Sequence, residues 1–301
     1  MSSKVSQFIQ IETAAELIKA GDLVAFPTET VYGIGANARD DEACKKIYQL
    51  KGRPSNNPLI VHVSSLEEAK SIAKFDATAE SLASHFWPGP LTLVLPLQHN
   101  ANLANSVTAG LNTVAIRIPS HPVALELIRL SRTHIAAPSA NPSGYISASL
   151  EEHVTKHFPG LFVLPDIMSG PIGLESTILD LSSAKPCILR YGFITPEVIA
   201  DIIGQNVEYL TDQTIKAPGM LSKHYSPRAS IRLNAISTEQ GEQGIGFGDI
   251  DIGRLNLSKS GDLIEVAKNL YTMLRILDDA EDTTSIAIAP IPNAGIGLAI
   301  N

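Results

Sequence analysis

Cysteine is nearly absent from this chain: Cys44 and Cys187 stand far apart, without C-x-x-C spacing. That excludes a disulfide framework or a cysteine-built zinc site, and a reducing compartment fits. Aromatic residues are scarce at 5%, with Trp87 the only tryptophan, so base-stacking platforms are few. No apolar run reaches the ~20 residues of a membrane helix. The polar start, Met1 to Ile11, lacks the apolar core of an export signal, and the expectation is a cytoplasmic protein without a membrane partner. Positive charge is in deficit, 23 Lys and Arg against 31 Asp and Glu. The formal net charge of -8 opposes indiscriminate coating of nucleic acid or anionic lipid. Internal repeats and low-complexity tracts are lacking too.

What remains is a 301-residue chain, 44% hydrophobic and 18% charged, which places it among globular proteins of about two domains. Apolar spacing predicts helices over Thr13–Ala20, Asp41–Leu50, Ser65–Lys74, Thr78–Phe86, His121–Leu130 and Pro196–Ile203. Strands are expected at Leu23–Phe26, Pro58–Val63, Leu91–Leu95, Thr113–Ile118, Ile135–Ala137, Leu161–Leu164, Ile178–Leu181 and Cys187–Arg190. Periodicity then lapses over 205–229, which reads as an interdomain linker that folds over a site because it is rich in binding-type side chains. Strands at Ser230–Leu233, Ile245–Phe247 and Ser285–Ala289 with an amphipathic helix over Leu263–Leu277 make a small second α/β domain. The expected organisation is a first α/β domain over 1–204, the linker, and a second over 230–301.

Polar loops collect where strands end, the usual seat of function. The stretch 51–59, K-G-R-P-S-N-N-P-L, puts a lysine and an arginine at a helix end, a pairing suited to phosphate or carboxylate. The alternative is a basic last turn that complements the helix dipole, with Gly52 as its cap. Thr28, Thr30 and Tyr32 follow one strand, Ser139 and Asn141 another, and Ser176 precedes a third. Arg117 and Arg190 lie in or at the end of apolar strands. A charge such as Arg117 points either to solvent or to an anionic partner. His62 is a packed core residue or a ligand, and Gly33-Ile34-Gly35 reads as a turn. No Ser-His-Asp order, zinc spacing or carboxylate pair marks covalent or metal-hydrolytic chemistry. The residues alone give a site that gathers anions and a small polar substrate.

Taken in order, P-T-E-T-V-Y-G-I-G at 27–35, K-G-R-P-S-N-N-P-L at 51–59, W-P-G-P-L-T at 87–92, A-I-R-I-P at 115–119, P-S-A-N-P-S-G at 138–144, E-S-T-I-L-D at 175–180 and R-Y-G at 190–192 resemble the YrdC-like threonylcarbamoyl-AMP synthases. The second domain is similar to that of their long form. The resemblance implies a twisted mixed YrdC-like sheet with helices, a linker, and a small Rossmann-like C-terminal α/β domain. It implies that L-threonine, bicarbonate and ATP give threonylcarbamoyl-AMP and pyrophosphate, for N6-threonylcarbamoyladenosine at position 37 of tRNA. Lys51 and Arg53 would be catalytic, stabilising charge. Thr30, Tyr32, His62, Arg117 and Ser176 would hold L-threonine. Lys51, Arg53, Asn57, Thr113, Ser139, Asn141, Ser147, Arg190, His224 and Tyr225 would hold ATP. Mg²⁺ would arrive on the ATP phosphates, with no protein ligands, and a threonylcarbamoyl-transfer complex and tRNA would be downstream partners.

The chain departs from the family twice. Leu221-Ser222-Lys223 replace the usual Lys-Tyr-Arg of the linker, and the chain stops after G-I-G-L-A-I-N, so a basic terminal helix is expected to be lacking. Two other functions compete. A nonenzymatic RNA-binding module is disfavoured by the net charge. The related carbamoyltransferase of hydrogenase maturation carries zinc fingers that two cysteines cannot build.

Overall fold

Asp40 accepts hydrogen bonds from the backbone N–H of Glu42 and Ala43, which starts the helix Asp41–Lys51. Gly52 ends that helix with φ at 60°, so the capping role holds and Lys51 lies in the last turn. Ala43, Cys44 and Ile47 are its buried face. They pack in a core with Leu59, Val61, Leu93 and Ile116 from the strands behind it. A computed structural model describes residues 8–168, 172–209, 217 and 225–301.

Among the described residues the first domain holds a ten-stranded sheet. Its strands are β1 (Val24–Phe26), β2 (Gly33–Asn37), β3 (Ile60–His62), β4 (Leu91–Pro96), β5 (Thr113–Arg117), β6 (Ile135–Ala136), β7 (Phe162–Val163), β8 (Thr177–Asp180), β9 (Cys187–Arg190) and β10 (Glu208–Tyr209). The spatial order β10-β9-β8-β4-β5-β3-β6-β2-β1-β7 mixes parallel and antiparallel pairs. β3 and β5 run parallel with His62 opposite Arg117, so the two side chains share a level at one sheet end. β10 pairs with β9 although it lies within 205–229, where a linker was expected.

The Gly33-Ile34-Gly35 segment is a correction to the sequence reading: it is strand β2, antiparallel to β1, and not a turn. Its glycines serve close packing. A Cβ on Gly35 would stand 2.8 Å from Ile135 Cγ2 and 2.9 Å from Phe26 Cε1. That packing requirement leaves the same sequence mark as a turn.

The second domain has a four-stranded parallel sheet, β11 (Ser230–Arg232), β14 (Ser285–Ile288), β12 (Glu242–Gly246) and β13 (Leu255–Asn256) in spatial order. Helix Leu263–Asp278, capped by Asp262, lays Val266, Ala267, Leu270, Leu274 and Leu277 on this sheet. Ala229 donates its N–H to Asp278, which ties the entry strand to that helix. A short helix, Gly297–Ile300, follows β14, and it is apolar, not basic. Among the described residues no helix is long and apolar enough to cross a membrane.

Candidate active site

The loops after β1, β3, β5 and β6, with the segment before β8, converge on a cleft. Its lining includes Thr28, Thr30, Tyr32, Arg53, His62, Arg117, Ser139, Glu175, Ser176 and Arg190.

At one end Arg117, 3% exposed, is held on three sides. Its Nε donates to Gly89 O at 3.1 Å, Nη1 donates to Thr30 Oγ1 at 2.9 Å, and Nη2 lies 2.7 Å from Glu29 Oε1. Of the two sequence readings for this charge, the buried one with an anionic partner is the one found. His62 sits beside it with Nδ1 buried and unpartnered among the described residues. Burial, then the Arg117 charge, drop its pKa to about 3, so the ring is neutral. Tyr32 donates to Glu151 Oε2 at 3.2 Å, and burial with the Glu151 charge raises its phenol.

At the other end Arg53 bonds to neutral oxygens among the described residues: Asn57 O at 3.0 Å, Asn57 Oδ1 at 2.6 Å, Pro58 O at 2.7 Å and the Tyr48 hydroxyl. Burial lowers its pKa to about 10, with the Arg190 charge acting in the same direction. Arg190 itself grips Ser176, with Nη2 at 2.9 Å from the carbonyl and 3.0 Å from Oγ. Two guanidinium groups thus share a buried cleft without a carboxylate bound to Arg53. Such an arrangement favours an anion that supplies the missing charge.

Lys51 is placed differently from the expectation. Its ammonium is fully enclosed and donates to Ser139 O at 2.5 Å and to Asn141 O. Burial and the Arg53 charge hold its pKa well below the lysine range. It secures the 139–141 loop and is not among the cleft-lining residues, because the helix end points it at carbonyls. Asn141 spans the same loop to Pro142 O and Tyr145 O, both at 2.8 Å. Thr113, half-buried, opens β5 two residues before the Ala115–Ile60 pair. That puts it at the Pro58 end of the sheet, outside the lining. Ser147 is buried behind the lining and bonds to Glu175. Tyr225 stacks on Tyr271, ring centroids 5.8 Å apart, and bonds to Glu175 and Arg190. His224, Lys223 and the rest of 218–224 lie outside the described residues.

Sequence reasoning missed Glu29, Glu175, Tyr271 and Arg275. Both carboxylates stand inside motifs that were singled out, beside Thr30 and Ser176, and a carboxylate among so many cations was a usable signal. Tyr271 and Arg275 gave none, since nothing in an amphipathic helix tells which polar residues meet another domain.

Two family comparisons cover nearly the whole chain. Residues 16–192 match the family described as Telomere recombination (Sua5, YciO and YrdC), and residues 194–301 match the C-terminal domain of threonylcarbamoyl-AMP synthase. The threonylcarbamoyl-AMP synthase of Pyrococcus abyssi is 40% identical over 97% of this chain and 92% of its own length. That of Bacillus subtilis is 42% identical over 97% and 90%. The crystal structure of P. abyssi Sua5 complexed with L-threonine superposes with a TM-score of 0.87 at 38% identity, covering 97% of this chain and 94% of that one.

Proposed function

Because the chain belongs to the threonylcarbamoyl-AMP synthase family in its two-domain form, we propose that its cleft joins L-threonine, bicarbonate and ATP into threonylcarbamoyl-AMP with release of pyrophosphate. The observation that carries this reading is the buried Arg53, fixed beside Arg190 by neutral oxygens, so that none of its partners among the described residues supplies a counter-charge. The triphosphate of ATP supplies that charge. At the opposite end Arg117 offers its guanidinium to the threonine carboxylate, and Thr30 and the neutral His62 border the same pocket. The L-threonine bound in the P. abyssi structure supports threonine as a substrate.

In the proposed sequence the threonine amine takes up bicarbonate, losing water, to give a carbamate. A carbamate oxygen attacks the α-phosphorus of ATP in line, and pyrophosphate leaves with the bond it held to that phosphorus. Arg53 and Arg190 stabilise the charge that builds on the phosphate oxygens, at positions set before the reaction begins. Lys51 acts at one remove by holding the loop that carries Ser139. The carboxylates nearest the cleft are engaged, Glu29 with Arg117 and Glu175 with Ser147 and Tyr271, so they do not make a ready metal site. We therefore assign Mg²⁺ to the nucleotide phosphates, its usual ligands in such reactions.

The product is an activated carbamoyl group for tRNA adenosine 37, passed to a separate transfer complex, and we assign the protein to the cytoplasm. Assay of pyrophosphate release with purified protein and no RNA tests the reading. Release should require threonine, bicarbonate and ATP together; an RNA-binding module would give none.

A further inference from the structure

The second domain reaches the cleft through one face of its long helix. Tyr271 and Arg275 stand one turn apart on Leu263–Asp278 and are 4% and 1% exposed. Tyr271 donates its hydroxyl to Glu175 Oε2 at 2.7 Å, while Ser147 Oγ donates to Glu175 Oε1. Arg275 Nε donates to Ser147 O at 3.2 Å, and its Nη2 donates to Ile146 O. One helix thus secures Ser147 at both its hydroxyl and its carbonyl.

The backbone closes against the same helix. Gly173, two residues before Glu175, has φ at 86°, and a Cβ there would lie 2.1 Å from Ala267 O. Val31, Ile146 and Leu174 of the first domain share a core with Val266, Leu270 and Leu274 of the second. Those apolar contacts already join the domains. A buried arginine and a buried carboxylate are costly additions to such a joint, since each must be desolvated. Both converge on one serine.

We infer that Tyr271 and Arg275 are positioning residues for the nucleotide half of the cleft, holding Ser147 through Glu175 and through its own carbonyl. The inference rests on the adenylate-forming reading above, in which Arg190, joined to Glu175 through Tyr225, belongs to the nucleotide, and on the family resemblance that gives Ser147 to ATP. Neither residue touches the reacting atoms. The second domain therefore completes the ATP side through polar contacts, while it meets the threonine side, built on Thr30, His62 and Arg117, only by packing on Val31 and Gly173.

The test is a double-mutant cycle in the full-length protein, with Ser147→Ala, Tyr271→Phe and the pair. The aromatic ring that stacks on Tyr225 is retained in Tyr271→Phe. Each single change should raise KM for ATP about tenfold, the size of one lost hydrogen bond to a charged group. KM for threonine should stay within about twofold, and the double variant should be no worse than Ser147→Ala alone. Glu175→Gln, which keeps the shape and one accepting oxygen, should retain more ATP affinity than Glu175→Leu, and this pair gives the same readout if Tyr271→Phe does not fold. Additive effects, or equal rises for both substrates, would overturn the inference and leave the reaction assignment intact. An unchanged KM for ATP in Ser147→Ala would remove this inference together with that serine's role, again without touching the reaction. Absence of threonine-dependent pyrophosphate release in the wild type would remove both.

Discussion

Arg117 Nη2 lies 2.7 Å from Glu29 Oε1, with the two side chains 4% and 14% exposed. Burial alone would raise the Glu29 pKa, but the Arg117 charge and hydrogen bond outweigh it and leave it below the ordinary carboxylate value. A threonine carboxylate is then the second anion on one guanidinium, and only a planar fork can serve two at once. Arg117→Lys should raise KM for threonine about tenfold or more while KM for ATP changes little. Steady-state kinetics in both substrates checks this, and a rise confined to ATP would reverse the assignment of the two ends.

His62 predicts a pH dependence of stability. Its folded pKa is about 3, depressed by burial and by Arg117, against an ordinary value of 6.5. Below pH 6.5 the unfolded chain takes up a proton that the folded one refuses, so stability falls as pH drops toward 3. The slope approaches about 1.4 kcal/mol per pH unit. His62→Gln removes this loss, so the advantage of wild type over the variant should shrink by about 2 kcal/mol between neutral pH and about pH 5. Urea unfolding of both proteins at several pH values measures it, and a constant difference would show that His62 is not buried neutral.

Arg53→Ala should abolish threonine- and bicarbonate-dependent pyrophosphate release, because it removes the buried guanidinium that lines the cleft and is assigned to the phosphate charge. Arg53→Lys keeps the charge without the fork and should recover only a small part. Near-normal release from the alanine variant would place the triphosphate elsewhere.

Gly35→Ala tests the packing of β2. The added methyl would press on Ile135 and Phe26, both fully buried. Overpacking of this kind costs about 1–3 kcal/mol. A denaturation midpoint equal to wild type would mean that the sheet yields at no cost.

Much of this was legible in the chain. Asp40 and Gly52 mark their helix ends by side-chain chemistry that acts within a few residues, and the loops bearing Thr30, Arg53, Ser139 and Ser176 announce themselves by following apolar strands. The rest depended on contacts distant in sequence. Whether Lys51 faces ligand or backbone is decided by a loop about ninety residues away, and no local pattern reports it. Gly35 leaves the same mark in a strand as in a turn. Tyr271 and Arg275 belong to the helix stripe that meets the first domain, a direction set only when the two cores join at Val31, Ile146 and Leu174.

The central claim, that this cleft couples a threonine carbamate to AMP, is tested most directly by incubating the purified protein with ATP, L-threonine and ¹³C-bicarbonate without RNA, and weighing the adenylate formed. The account predicts threonylcarbamoyl-AMP carrying one ¹³C, formed in step with pyrophosphate. Pyrophosphate released without a labelled adduct, or an adduct formed equally well without threonine, would contradict it.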